Sequence, residues 1–150
     1  MQASRLYRIT AVLLLLFAAG HFFGFRQIDP AWGIGPLIDS MQSTHFKADG
    51  FDRSYWDFYL AGGFSVGVLF LFAATLAWQL GGLPAGSLVQ MRGVTWAFAG
   101  CFATITILSF RYLFIIPIAF SSVITLCLVA AAWRGGQRVM IPADGKGATG

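Results

Sequence analysis

Charge is what this chain has least of: 11% of its 150 residues are charged, against roughly 25% in a soluble domain. Hydrophobic residues make up 57%. So few charges cannot cover a water-facing surface, and lipid must be the solvent for much of the chain. The length suits one domain with no separate soluble partner domain. Cysteine is scarce as well. Cys101 and Cys127 lie inside apolar runs and belong to no CxxC pair, so they read as small core residues rather than redox groups. The two histidines have no HxxxH or HxH spacing. A zinc site would have to gather His21, His45 and a carboxylate, and bis-histidine haem ligation would need His45 folded back to the depth of His21, so no metal site is expected. There is no Gly-rich phosphate loop, serine-nucleophile elbow or Cys-His pair. The net charge of +4 is concentrated at the termini, with no compact basic-aromatic patch, which argues against a nucleic-acid partner.

Long apolar segments are what the chain does have. The first span is expected over about 6–25, the second over 55–80, the third over 91–110 and the fourth over 112–133. About 20 apolar residues at 1.5 Å rise cross a hydrocarbon core of roughly 30 Å. The Gly81-Gly82-Leu83-Pro84 stretch should break the chain after the second span. Only Ser109-Phe110-Arg111-Tyr112, followed by Pro117, separates the third from the fourth, so these two should form a tight antiparallel hairpin. The Gly-rich tail, 135–150, reads as a flexible cytoplasmic segment. Arg5, Arg8 and the small residues Ala18-Ala19-Gly20 would also suit a cleaved signal peptide. The apolar run continues through 21–25, however, which favours a retained span.

Positive charge sets the orientation. Arg5 and Arg8 precede the first span, Arg92 lies in the second connection, and Arg134, Arg138 and Lys146 follow the fourth. Four spans place all of these on one side, the cytoplasm. The first loop, 26–54, then faces outward in charge balance: Arg26, Lys47 and Arg53 against Asp29, Asp39, Asp49 and Asp52. The expected class is all-α, an integral four-helix bundle of a bacterial inner membrane with both termini cytoplasmic.

Most residues able to do chemistry crowd toward that outer end: His21, Arg26, Trp32, His45, Arg53, Trp56, Asp57 and Arg111. In an antiparallel bundle His21, Asp57 and Arg111 share a depth. An ionisable group there is costly unless paired or hydrated. Two assignments stay open. In one, Asp57 pairs with Arg111 or Arg53 to lock helices while His21 donates to a backbone carbonyl. In the other, Asp57 and His21 form an acid/base pair or ligand anchors at a pocket mouth, with Arg111 holding an anionic group.

The first loop is half apolar. Ile34, Leu37, Ile38 and Met41 fall at i, i+3, i+4, i+7, the stripe of a short amphipathic helix able to lie on the membrane or cap the bundle. Trp32, Trp56, Tyr59 and Tyr112 near one interface, and Trp78, Trp96 and Trp133 near the other, form an aromatic belt. Gly20/Gly24 and Gly63/Gly67 are small-xxx-small steps that let helices approach closely. Most hydroxyls of the last two spans should bond to their own backbone.

The stretch Arg53-Ser54-Tyr55-Trp56-Asp57-Phe58-Tyr59, with Gly20-His21 before it and Ser109-Phe110-Arg111-Tyr112 after it, resembles a family of small four-span bacterial membrane proteins without an assigned function. More distantly the plan is similar to the DoxX/DoxD-like four-helix membrane proteins, some of which accompany quinone-linked oxidoreductases, and in size to the EXPERA sterol-isomerase-like bundles. The resemblance implies an architecture and carries over no catalytic residue.

The leading expectation is a binding module for a lipid, quinone or isoprenoid, with His21, Arg53, Trp56, Asp57, Tyr59, Arg111 and Tyr112 at the ligand. An intramembrane isomerase or cyclase using His21 and Asp57 is the first alternative. A structural accessory subunit, within a homo-oligomer or a larger membrane complex, is the second. No cofactor is indicated.

Overall fold

The computed structural model describes residues 2–136. It is mostly helical, and among the described residues four helices are long and apolar enough to cross a membrane: α1 (Gln2–Gly24), α3 (Tyr55–Gly82), α5 (Arg92–Tyr112) and α6 (Ile115–Gly136). Two shorter helices complete the helical set, α2 (Gly35–Ser43) and α4 (Ala85–Gln90), with a single 3-10 turn at Pro30–Trp32. Of the tail expected to be flexible, 135–150, Gly135 and Gly136 close α6, and 137–150 lie outside the described residues.

The element ends differ from expectation in ways the backbone explains. α1 starts at Gln2, so Arg5 and Arg8 belong to the helix. α3 carries Gly81 and Gly82 as helical residues, and the break falls at Leu83-Pro84, where proline disfavours the helical conformation of the residue before it. α5 runs through Arg111 and Tyr112, and the link to α6 is only Leu113 and Phe114. Pro117 then sits in the first turn of α6, where its missing N–H is not needed.

One small element lies outside the helical expectation. His45–Ala48 (β1) and Phe51–Ser54 (β2) form an antiparallel hairpin, with His45 opposite Ser54 and Ala48 opposite Phe51. Its loop is the dipeptide Asp49-Gly50, with φ of 51° and 85°. Left-handed conformations at both central residues give the turn whose twist matches paired strands, and Asp-Gly is a preferred sequence for it.

The chain divides into two compact units, Leu14–Ala74 and Met1–Leu13 together with the chain from Thr75 onward, with both divisions falling inside helices. In the first unit the buried residues Phe17, Ala18, Phe70, Ala73 and Ala74 come from α1 and α3. In the second, α5 and α6 form the antiparallel hairpin. Phe98, Ala99 and Phe102 are buried on α5, and Ser121, Ile124, Leu128 and Ala131 make the buried stripe of α6. Thr106 and Thr125 link the two helices by a 2.9 Å hydroxyl hydrogen bond. The expected self-bonding of hydroxyls holds for Thr104, Thr106, Ser109 and Ser121, each donating to a carbonyl three or four residues earlier.

Candidate functional site

Within Leu14–Ala74 the end of α1 and the start of α3 are joined by side chains that the sequence singles out. Gly63 and Gly67 face α1 at one spacing of i, i+4. A Cβ on Gly67 would fall 2.6 Å from the ring of Phe22, and one on Gly63 would overlap the edge of the Phe25 ring. The two glycines are therefore seats for two phenylalanine rings. The similar step at Gly20 and Gly24 meets nothing within 4 Å, so among the described residues it is no contact.

His21 lies in the last turn of α1. Its Nε2 is 2.8 Å from the carbonyl oxygen of Gly63. A carbonyl only accepts, so this nitrogen carries the proton. The imidazole stacks on Phe25 with centroids 5.2 Å apart and meets Phe70 edge-on at 5.8 Å. Tyr59 donates its hydroxyl to the carbonyl of Phe25, satisfying a backbone acceptor just past the end of α1. Phe25 also lies 5.9 Å from the ring of Tyr59 and 5.2 Å from that of Phe64.

Asp57 occupies the first turn of α3. Its Oδ2 accepts from the backbone N–H of Ser54 at 2.8 Å and from the Ser54 hydroxyl at 3.1 Å, while the N–H of Asp57 points at Ser54 Oγ at 3.3 Å. This is a reciprocal capping box, in which the residue before the helix and one in its first turn satisfy each other's orphan donors. The carboxylate also lies at the positive end of the helix dipole. Its hydrogen-bond partner is Ser54, not Arg53.

Arg53 instead donates from a guanidinium nitrogen to the carbonyl of Asp52 at 2.8 Å and lies 5.2 Å from the ring of Phe51. Among the described residues the ion pair is His45–Asp52, at 3.0 Å between Nδ1 and Oδ1, with both side chains more than half exposed. Arg26 projects past the end of α1, its guanidinium 5.4 Å from the ring of Phe64 and 5.9 Å from that of Phe25. Trp56 stacks on Tyr59, one turn along α3, at 5.1 Å. Phe46 of β1 packs against Tyr55 and Phe58 at 5.3 and 5.5 Å, which fastens the hairpin to the first turn of α3. Trp32 is 60% exposed. Ile34, which caps α2, and Ile38 and Met41 on it are half-buried, and Leu37 is exposed.

Arg111 and Tyr112 belong to the other unit and end α5. The guanidinium lies 5.5 Å from the ring of Tyr112, which is 72% exposed. Among the described residues no group of three His, Cys, Asp or Glu side chains comes together that could hold a metal ion.

Two participants had no place in the sequence reading. Ser54 was legible, since Ser-x-x-acid ahead of an apolar run is a helix-start signature. The Gly63 carbonyl was not, because every residue has one. No protein-family model, curated protein or solved structure matches the chain.

Proposed function

We propose that this is a multi-pass protein of a bacterial inner membrane that binds a small amphipathic molecule, such as a lipid, quinone or isoprenoid. The ligand's polar head would lie where α1 ends and α3 begins. The observation that carries the reading is the division of labour at this place. His21 and Asp57 are hydrogen-bonded into the fold, while Arg26 rests on aromatic rings without a carboxylate partner among the described residues. A cation on an aromatic floor suits a head that is anionic or rich in acceptors, and the neighbouring rings suit an apolar tail. Arg53, Trp56 and Tyr59 would border the ligand. His21 and Asp57 would hold the walls in position rather than touch it. α2, as an amphipathic helix at the membrane surface, would shield the head from water.

This division of labour favours binding over proton transfer. An isomerase or cyclase would need Asp57 to exchange a proton, and its Oδ2 is held by the N–H and hydroxyl of Ser54. A structural accessory role in a homo-oligomer or a larger membrane complex has an observation of its own. Phe51, Tyr55 and Phe58 present exposed rings beside the hairpin, and exposed apolar patches mark contact surfaces.

The test is to purify wild type and Arg26→Gln in mild detergent, extract each with organic solvent and identify what co-purified. The expected result is one defined amphipathic compound enriched in wild type and depleted in Arg26→Gln. Bulk membrane lipid alone in both would contradict the binding reading and turn the search toward a protein partner.

A further inference from the structure

Residues 1–13 and 75–136 contain no Asp or Glu, yet carry Arg5, Arg8, Arg92, Arg111 and Arg134. All but Arg111 lie at the end where α1 begins and α3 stops. Ser4 donates to the Gly81 carbonyl there, and a Cβ on Gly136, the last residue of α6, would lie 3.8 Å from Arg92 Nε. Clustered positive charge at one membrane face is common and alone marks only orientation. Arg8 is different because the fold holds it in place. Its guanidinium carbon is 3.7 Å from the centre of the Trp78 ring. Its stem and Nε lie flat across Gly81, where a Cβ would sit 3.1 Å away. From this cation a groove runs along Ile9, Val12 and Leu13, with Trp78 as its other wall. Ile9, Val12 and Trp78 are each at least half exposed.

We propose that this groove binds one anionic phospholipid, with its phosphate on Arg8 and an acyl chain along Ile9, Val12 and Leu13. The guanidinium over the indole ring is a fixed cation with several N–H donors, the group that a phosphate accepts from. The apolar wall starts beside the cation and continues for a helical turn, which matches a head joined to a tail. Among the described residues this part of the chain offers the cation no carboxylate, and an anionic leaflet supplies a complement. A zwitterionic lipid offers the same phosphate but brings its own cation into a cluster of arginines, so the site discriminates by net headgroup charge. None of these residues belongs to the site under Proposed function, so either can fail alone.

The test uses the full chain, delipidated in mild detergent and titrated with phosphatidylglycerol or phosphatidylcholine of identical acyl chains. Bound lipid is counted by native mass spectrometry. Wild type should hold one phosphatidylglycerol with at least a roughly fivefold preference, the worth of one basic side chain at an anionic surface. Arg8→Gln should bring the preference close to one. Val12→Trp fills the groove, leaves every charge in place and should weaken both lipids; it carries the test alone where Arg8→Gln fails to fold. Equal retention of both lipids by wild type overturns the proposal. So does a preference that survives both substitutions, or displacement of the lipid by an equal concentration of inorganic phosphate, which would mark a simple anion site.

Discussion

The Nε2 of His21 donates to the carbonyl of Gly63 at 2.8 Å, so the one histidine within a membrane-spanning helix is a strut between α1 and α3. The bond is possible because Gly63 has no side chain: the Phe25 ring, stacked on the imidazole, fills the space a Cβ would take. His21→Ala should lower stability by about 1–3 kcal/mol, the sum of one net hydrogen bond and the aromatic contacts. Thermal melts in detergent would register it. A variant as stable as wild type would remove the strut from the account.

The two glycine steps should respond oppositely to the same substitution. Gly67→Ala drives a methyl into the Phe22 ring at 2.6 Å and should cost about 1–3 kcal/mol as overpacking. Gly20→Ala meets open space and should be neutral or stabilising by up to about 1 kcal/mol, because alanine suits a helix better than glycine. Melts of the two variants side by side decide whether Gly63 and Gly67 form the contact step.

Asp57 provides a test of cap against catalyst. A longer acid at the same position is the usual partner in a capping box, so Asp57→Glu should keep the melting temperature and the bound ligand near wild type. Ser54→Ala removes the other half and should cost about 1 kcal/mol. An Asp57→Glu variant that folds normally but loses a demonstrable turnover would return Asp57 to a catalytic role.

At the hairpin, Gly50 has φ of 85°, and Gly50→Ala should cost about 1–2 kcal/mol locally because a Cβ disfavours that conformation. Asp49→Asn should be tolerated, since asparagine also adopts it. Limited proteolysis within 44–54 would report the difference as faster cleavage in Gly50→Ala alone. His45→Gln should have little effect on the same assay, as an ion pair more than half exposed contributes at most about 1 kcal/mol.

Much of this architecture was written in the apolar runs. Their length and lack of charge are enough to identify four spans, because hydrocarbon admits little else. Their ends were less legible. Gly81 and Gly82 look like a break, yet glycine only weakens a helix, and it is Pro84 that stops α3. The hairpin had its signal in Asp49-Gly50, masked by the apolar stripe just before it. The glycine steps looked alike in sequence, and only the partner rings of Phe22 and Phe25 separate the one that packs from the one that does not. At the site, Asp57 stood out as an acid in an apolar segment. Its capping partner Ser54 was readable from spacing, whereas the partner of His21 is backbone and leaves no trace in the residue types.

The most direct test of the central claim is native mass spectrometry of the protein from mild detergent, comparing wild type with Arg26→Gln and Asp57→Glu. The account predicts one small amphipathic adduct on wild type and Asp57→Glu, and its loss from Arg26→Gln without a change in melting temperature. An adduct that survives Arg26→Gln but disappears from a well-folded Asp57→Glu would contradict it, placing the ligand on the carboxylate that the fold is said to occupy.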